Sequence, residues 1–395
     1  MEETTRLTIS VEYCKINEKY KNKNRENKMK DKKKYIYSIV FFVILFVLTY
    51  WAIFKDNSIT EIIEVFKDVN VLYIIIAFGL AGIFLVTNGI YMKKILKYLG
   101  YKISLWKGFV YSCIEFYFSG ITPSSTGGQP AQMYYMRKDK VPLSASSIAV
   151  LLITAIYKLV LIVLGIFALI FNAKLIISNG TVFNIIFAFG MLMNFLIIFG
   201  CIFLMFSKKL VKKISKKIIK LLAKLRISKA PEKLLEKIER HLEDYAKGAK
   251  YIKENMGLSV KVFLLTLIQR VSMFSIGYFV YRALGQSTYG YFDIMFIQVA
   301  IALAIDSLPF PGGIGISEVM LTMIYTKIFG EELGLPAMLL TRIVSYYFIL
   351  LVSGITTMVN HINVMKKENK KKKNKVKKED KEIIEEAKEK IEEEI

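Results

Sequence analysis

L-W-K-G-F-V-Y-S-C-I-E-F-Y-F-S-G-I runs from Leu105 to Ile121, and T-P-S-S-T-G-G-Q-P follows from Thr122 to Pro130. The first part is apolar but falls short of the roughly 20 residues that a bilayer core requires. Proline and glycine then end the helix. Lys93, Lys94 and Lys97 precede the element, and Arg137, Lys138 and Lys140 follow it. Basic residues on both sides put both ends on one membrane face. The expected structure is a re-entrant hairpin entering from the cytoplasm.

A second element has the same design. Tyr291–Leu308 is apolar, P-F-P-G-G-I-G occupies Pro309 to Gly315, and the chain resumes as I-S-E-V-M-L-T-M-I-Y-T-K-I-F before the acidic E-E-L-G-L-P. Around these two breaks lie longer apolar runs at 35–54, 71–92, 143–171, 183–206, 260–284 and 337–359, each read as a full span. Threading six spans with both termini inside leaves the basic loops on one face. The poorly charged loops at 55–70, 172–182, 285–290 and 331–336 then fall on the other. In each half a span, a broken hairpin and a second span follow one another, and the second half runs in the opposite sense. This is an inverted-topology repeat, and broken helices at matching positions point to a binding site near the bilayer midplane.

Composition agrees. The 395 residues are 54% hydrophobic yet carry 56 Lys+Arg against 33 Asp+Glu, a net charge of +23. So much apolar residue beside so much charge excludes a soluble globule unless the two are segregated, and here the lysines lie between the apolar runs. The fold class expected is an all-α integral membrane protein with about six transmembrane helices and two re-entrant hairpins. Residues 1–34 read as a disordered basic arm, 35–365 as the membrane domain, and 366–395 as a charged cytoplasmic tail ending in a short solvated helix from 379. Segment 207–255 holds 16 Lys/Arg and 6 Asp/Glu and reads as a basic amphipathic element on the cytoplasmic surface.

Cys14, Cys113 and Cys201 are scattered, and His241 and His361 are the two histidines. No disulfide framework, metal site, cofactor or nucleophilic triad is expected. Ionisable residues inside apolar runs each cost about 2.5–3.5 kcal/mol at a helix centre, so each needs a reason. They are Glu115, Lys158, Arg270, Asp306, Glu318 and Arg342. For Lys158 and Arg270 the plainer alternative is a structural ion pair with one of the acids. For Arg342 it is snorkelling, and for Glu318 it is compensation of a helix dipole. The breaks add Ser124, Ser125, Gly127, Gly128 and Gln129 from the first hairpin, and Pro311, Gly312 and Gly313 from the second. Together these residues are expected to line a cavity that takes a lipid phosphate on helix-start amides and buried cations.

Two elements, P-S-x-x-G-G within Ile121–Gln132 and P-x-P-G-G-x-G-x-x-E within Leu308–Glu318, resemble the paired signatures of the lysylphosphatidylglycerol synthase transmembrane-region family. This is the flippase-like membrane domain of the multiple peptide resistance factor. The resemblance covers about residues 35–365. It implies movement of an anionic or aminoacylated phospholipid such as lysyl-phosphatidylglycerol between leaflets of the cell membrane, and with it resistance to cationic antimicrobial peptides. Partners implied are that lipid, a separate lipid synthase and a second copy of the chain; no nucleic acid is expected. In full-length relatives a soluble domain carries phosphatidylglycerol lysyltransferase activity, for which the residues after Val359 are too few. Gln129 stands where the family often has an acidic residue. A secondary transporter for a small polar solute is the other reading that inverted repeats allow.

Overall fold

The computed structural model describes residues 67, 69–122, 125–207, 209, 212–214, 216–217, 231–306 and 316–393. Within these it is helical throughout. The chain divides into two compact units, one of residues 52–357 and one that joins 1–51 to 358–395. The expected span at 35–54 lies outside the described residues.

The larger unit begins with α1 (Val71–Tyr98), whose first turn is capped by the Asn70 side chain accepting from the Leu72 amide at 3.1 Å. Ser104 caps α2 (Leu105–Ile121) in the same way through the Lys107 amide. Then come α3 (Gly128–Lys138), α4 (Leu143–Ile177) and α5 (Thr181–Phe206). After a basic stretch, α6 (Pro231–Glu254) leads through Asn255 into α7 (Met256–Ala283). The rest is α8 (Tyr291–Asp306), α9 (Ile316–Phe329), α10 (Glu331–Arg342), a π-helical turn Ile343–Tyr347, and α11 (Phe348–Glu393).

Five helices are long and apolar enough to cross a membrane: α1, α4, α5, α7, and the run Glu331–Lys370. They fall on the five expected spans that lie among the described residues. This is an all-α integral membrane protein. Its exposed surface fits that reading, since Val182, Ile185, Phe199 and Phe203 of α5 all face outward. The helices run one to two turns past several of the apolar limits. The expected end of α4 at Phe171 instead marks a kink, with Asn172 at φ −134° and ψ 28°. The tail also differs from expectation. It is not a separate short helix, because α11 continues unbroken to Glu393. No glycine or proline follows Gly354 to stop it.

Lipid offers no hydrophobic drive for helices to associate, so close approach at small residues takes over. α1 pairs most extensively with α7, burying Ala77 and Ala81 with Ile276 and Val280. They run antiparallel, the Asn70 amide donating to the Ala283 carbonyl at 2.9 Å. α1 meets α2 at Gly89 and Gly108; a Cβ on Gly89 would lie 2.7 Å from the Phe109 amide nitrogen.

Helix starts at 71, 105, 128 and 143 are matched by starts at 256, 291, 316 and 331, each 185 to 188 residues later. The matching pieces are the helix pairs α2–α3 and α8–α9. At about 1.5 Å per residue, none of their four arms spans the roughly 30 Å hydrocarbon core.

The hairpins open at opposite ends of the bundle. Lys107 and Asp139 close the first beside the end of α1 and the start of α4, their side chains 2.7 Å apart, with the Tyr111 hydroxyl donating to the same carboxylate at 2.9 Å. At that end α6 lies over Leu99 and Ile148, where Gly248 leaves room, and the Tyr245 hydroxyl donates to the Leu204 carbonyl at 3.0 Å. Burial pushes the Tyr245 pKa up to about 12, so it remains a neutral donor. The second hairpin closes at the other end. Lys327 donates to the Ser178 carbonyl after α4, and Phe329 packs edge-on against Tyr281 at the end of α7.

Candidate polar site within the helix bundle

The turn of the first hairpin explains its own sequence. The Thr122 hydroxyl donates back to Phe118 O at 2.6 Å and accepts from the Gly127 amide at 2.9 Å. Ser125 sits at φ 54°, left-handed for a residue with a side chain, and its amide donates to Thr122 O. Neither glycine can carry a Cβ. At Gly127 it would meet Thr122 Cγ2 at 2.6 Å, and at Gly128 it would meet the Ser119 hydroxyl and the Glu115 carbonyl. The Gly-Gly pair thus lets α3 start against α2. Gln129, the next residue, donates to the Thr154 hydroxyl on α4 at 2.8 Å.

Thr154 is one turn before Lys158 on α4. Lys158 is buried and forms an ion pair with Asp306, the last residue of α8. The Tyr157 hydroxyl donates to the second oxygen of Asp306 at 2.8 Å. The Arg270 guanidinium, halfway along α7, stacks 4.0 Å above the Tyr157 ring and 5.1 Å from Phe84 of α1. It meets no carboxylate within ion-pair distance among the described residues, and its Nε is buried without a hydrogen-bond partner. Its charge acts on Glu115 of α2 from beyond that distance. Glu115 lies one turn from the Ser119 hydroxyl, 3.5 Å away. Two cations and two carboxylates from α2, α4, α7 and α8 therefore gather at mid-bundle.

The repeat gives this cluster a counterpart. By the offsets above, Gly120 corresponds to Asp306 and Tyr346 to Lys158. Tyr346, inside the π-helical turn, donates its hydroxyl to the Gly120 carbonyl at 3.2 Å. The first arm of each pair is thus tied to the span that follows the other pair, one by charge and one by a neutral hydrogen bond. Arg342 lies at the start of that turn, 5.2 Å over the Tyr346 ring.

Of the residues singled out from sequence, Glu115, Lys158, Arg270 and Asp306 come together, with Gln129 reaching the same face of α4. Ser125, Gly127 and Gly128 form the tip of the first hairpin. Ser124, Pro311, Gly312 and Gly313 lie outside the described residues, as does the side chain of Glu318 on α9. Lys158 pairs with Asp306, while Arg270 lies over aromatic rings. Sequence reasoning passed over Tyr157 because an aromatic residue in an apolar run reads as core. Its place beside Lys158 was the available signal.

Residues 35–353 match the family described as lysylphosphatidylglycerol synthase TM region. The chain belongs to that family. A relative described as a UPF0104 membrane protein, from Archaeoglobus fulgidus, is 26% identical over 312 residues, which is 75% of this chain and 88% of the relative. The matched region contains both hairpins and every member of the mid-bundle cluster.

Proposed function

We propose that this protein moves an anionic or aminoacylated phospholipid, of which lysyl-phosphatidylglycerol is the type, from one leaflet to the other. The observation that carries the reading is Arg270: a guanidinium at mid-bundle with a buried Nε that has no partner and, among the described residues, aromatic rings rather than a carboxylate against it. A charge at that depth is costly without a purpose, and a lipid phosphate crossing the core needs a cation in place of water. Membership of a family described by lysylphosphatidylglycerol synthase supports this choice of lipid class. The acyl chains stay in the bilayer while the head group passes between the two hairpin tips, each hairpin re-entrant from its own face.

Lysine placement orients the protein. The end bearing Lys93, Lys94, Lys97, Arg137, Lys138, Lys140 and α6 is the cytoplasmic one, with both termini on that side of the cell membrane. A separate synthase would supply an aminoacylated lipid, and its arrival in the outer leaflet would lower the negative surface potential that draws cationic peptides. Proteoliposomes test the proposal. Head-group-labelled phosphatidylglycerol and lysyl-phosphatidylglycerol should become accessible across the bilayer faster than in protein-free vesicles. Equal rates for the lipids, with uptake of a soluble amino acid or sugar instead, would favour a solute transporter.

A further inference from the structure

We propose that Glu115 is a proton site linked to anion binding at Arg270. Its carboxylate takes up one proton from water as a lipid phosphate seats on the guanidinium, and releases it when the phosphate leaves. The inference rests on the reading of Arg270 as the phosphate seat and names what that seat exchanges.

The packing brings the two residues together by two routes. Phe116, next to Glu115 on α2, stands edge-on to Phe84 of α1 with ring centroids 5.9 Å apart, and the Arg270 guanidinium lies 5.1 Å from the same Phe84 ring. Two turns along α1, the Tyr91 hydroxyl donates at 3.5 Å to the side chain of Gln269, the neighbour of Arg270. The Arg270 charge acts on Glu115, and both charges act on Tyr91 and on Tyr157 of α4. The two do not close into an ion pair. Arg270 keeps a buried Nε without a partner among the described residues, and Glu115 accepts from the Ser119 hydroxyl at 3.5 Å.

The remaining charges around α2 are engaged elsewhere. Lys158 of α4 and Asp306 of α8 pair with each other, as do Lys107 and Asp139 at the cytoplasmic end. Tyr346 of the π-helical turn packs on Phe116, with Arg342 over its ring. α3 meets Glu115 through the backbone at Gly128, and Lys93, Lys94 and Lys97 of α1 are exposed. Arg270 is the cation whose charge reaches Glu115.

A cation beside a carboxylate favours the ionised acid, and a second anion beside it favours the neutral one. A phosphate on the guanidinium cancels the first influence and adds the second. Phosphate and proton therefore bind together, each strengthening the other by the same factor. Water reaches the site, since Glu115, Arg270 and Tyr157 each keep part of their surface exposed. A proton taken up at one face and released at the other makes transfer of a lipid anion electroneutral.

The test is binding of dioctanoyl phosphatidylglycerol to the purified full-length protein in detergent, from about pH 5 to about pH 10. Dioctanoyl phosphatidylcholine at each pH corrects for partition into micelles, and the phosphodiester of the probe keeps its single charge throughout. Wild-type affinity should fall as pH rises, by up to about tenfold per pH unit where one proton is exchanged. Glu115→Gln should bind independently of pH, as tightly in alkali as the wild type does in acid. Glu115→Asp, which keeps an acid, should keep a pH dependence. An indicator dye in weak buffer gives a reading on the wild type alone: protons should be taken up as the lipid binds. Affinity that is flat with pH, a pH dependence that Glu115→Gln preserves, or binding without proton uptake at any pH would overturn the proton site and leave the phosphate seat standing. No binding beyond the control, or binding that Arg270→Ala leaves intact, would instead sink the reading of Arg270 and the proton site with it.

Discussion

Tyr157 holds two charges at once: its hydroxyl donates to Asp306 at 2.8 Å while the Arg270 guanidinium stacks 4.0 Å above its ring. One aromatic side chain on α4 therefore links the tip of the second hairpin to the middle of α7. The Arg270 Nε has no hydrogen-bond partner among the described residues, and a guanidinium presents its N–H donors in a fork that suits a bidentate anion. A carboxylate partner would have consumed them.

Arg270→Ala should abolish transfer of phosphate-bearing lipid while costing about 0.5–2 kcal/mol of stability, the worth of a desolvated cation–π contact. Liposome flux and a thermal melt in detergent give the two numbers. If Arg270 only balances Glu115, its loss strands that carboxylate, the protein is destabilised more severely, and Arg270→Ala with Glu115→Gln restores both stability and flux. Recovered flux in that double variant would reject a phosphate role for Arg270.

The glycines give a second test that needs no substrate. Gly128→Ala must push α3 away from Ser119 and the Glu115 carbonyl, and overpacking of this kind costs about 1–3 kcal/mol. Gly82→Ala on α1 has nothing within 4 Å of the new methyl and should raise stability slightly through helix propensity. Thermal melts of the two variants should move in opposite directions. Equal melting temperatures would mean that the hairpin arms are not in this contact.

Orientation is open to labelling. Cysteines placed at Ser104 and Lys140, which flank the first hairpin, should react with an impermeant maleimide from one side only. Cysteines at Asn179 and Gln286 should react from the other. Ser104 and Lys140 labelled from opposite sides would break the inverted repeat.

Apolar run length was enough to locate the five spans that lie among the described residues, because the bilayer imposes a length that any sequence must meet. The buried charges also stood out, since each contradicts its surroundings. Their partners did not. Lys158 and Asp306 are 148 positions apart, and no local rule distinguishes that pairing from one with Glu115 or Glu318. Tyr157 was hidden for the opposite reason: an aromatic residue inside an apolar run breaks no rule by itself. What gives it meaning is a stacked guanidinium, which exists only once the helices are packed.

The basic surface of α6 is the next measurable feature. Tyr245, Ala249 and Ile252 turn inward at helical spacing, while Lys247, Lys250 and Lys253 stay exposed. Lysines at a membrane surface attract anionic lipid by about 1 kcal/mol each. The isolated segment 207–255 should bind phosphatidylglycerol vesicles, ignore phosphatidylcholine ones, and release as salt rises and the Debye length shrinks. Negligible binding at low salt would reduce the segment to a determinant of topology.

The ion pair itself makes the last prediction. Lys158→Met leaves the Asp306 carboxylate without its cation in a low-dielectric interior, which costs about 3–5 kcal/mol when one partner of a buried pair is removed. Asp306→Asn leaves the ammonium in the same position. Replacing both together removes the charges and their desolvation cost, so Lys158→Met with Asp306→Asn should recover most of the stability lost by either single variant. The repeat supports this outcome from within the molecule. The corresponding contact, Tyr346 to Gly120, holds the other hairpin tip with one neutral hydrogen bond. A neutral contact thus fastens one of the two matching helices, and the double variant tests whether the charge pair at Asp306 does more than fasten the other. The double variant should melt near the wild type yet fail in lipid transfer. A double variant that is stable and fully active would show that the pair is a structural fastening like its neutral counterpart. One as unstable as the single variants would show that the two residues are not coupled as a pair.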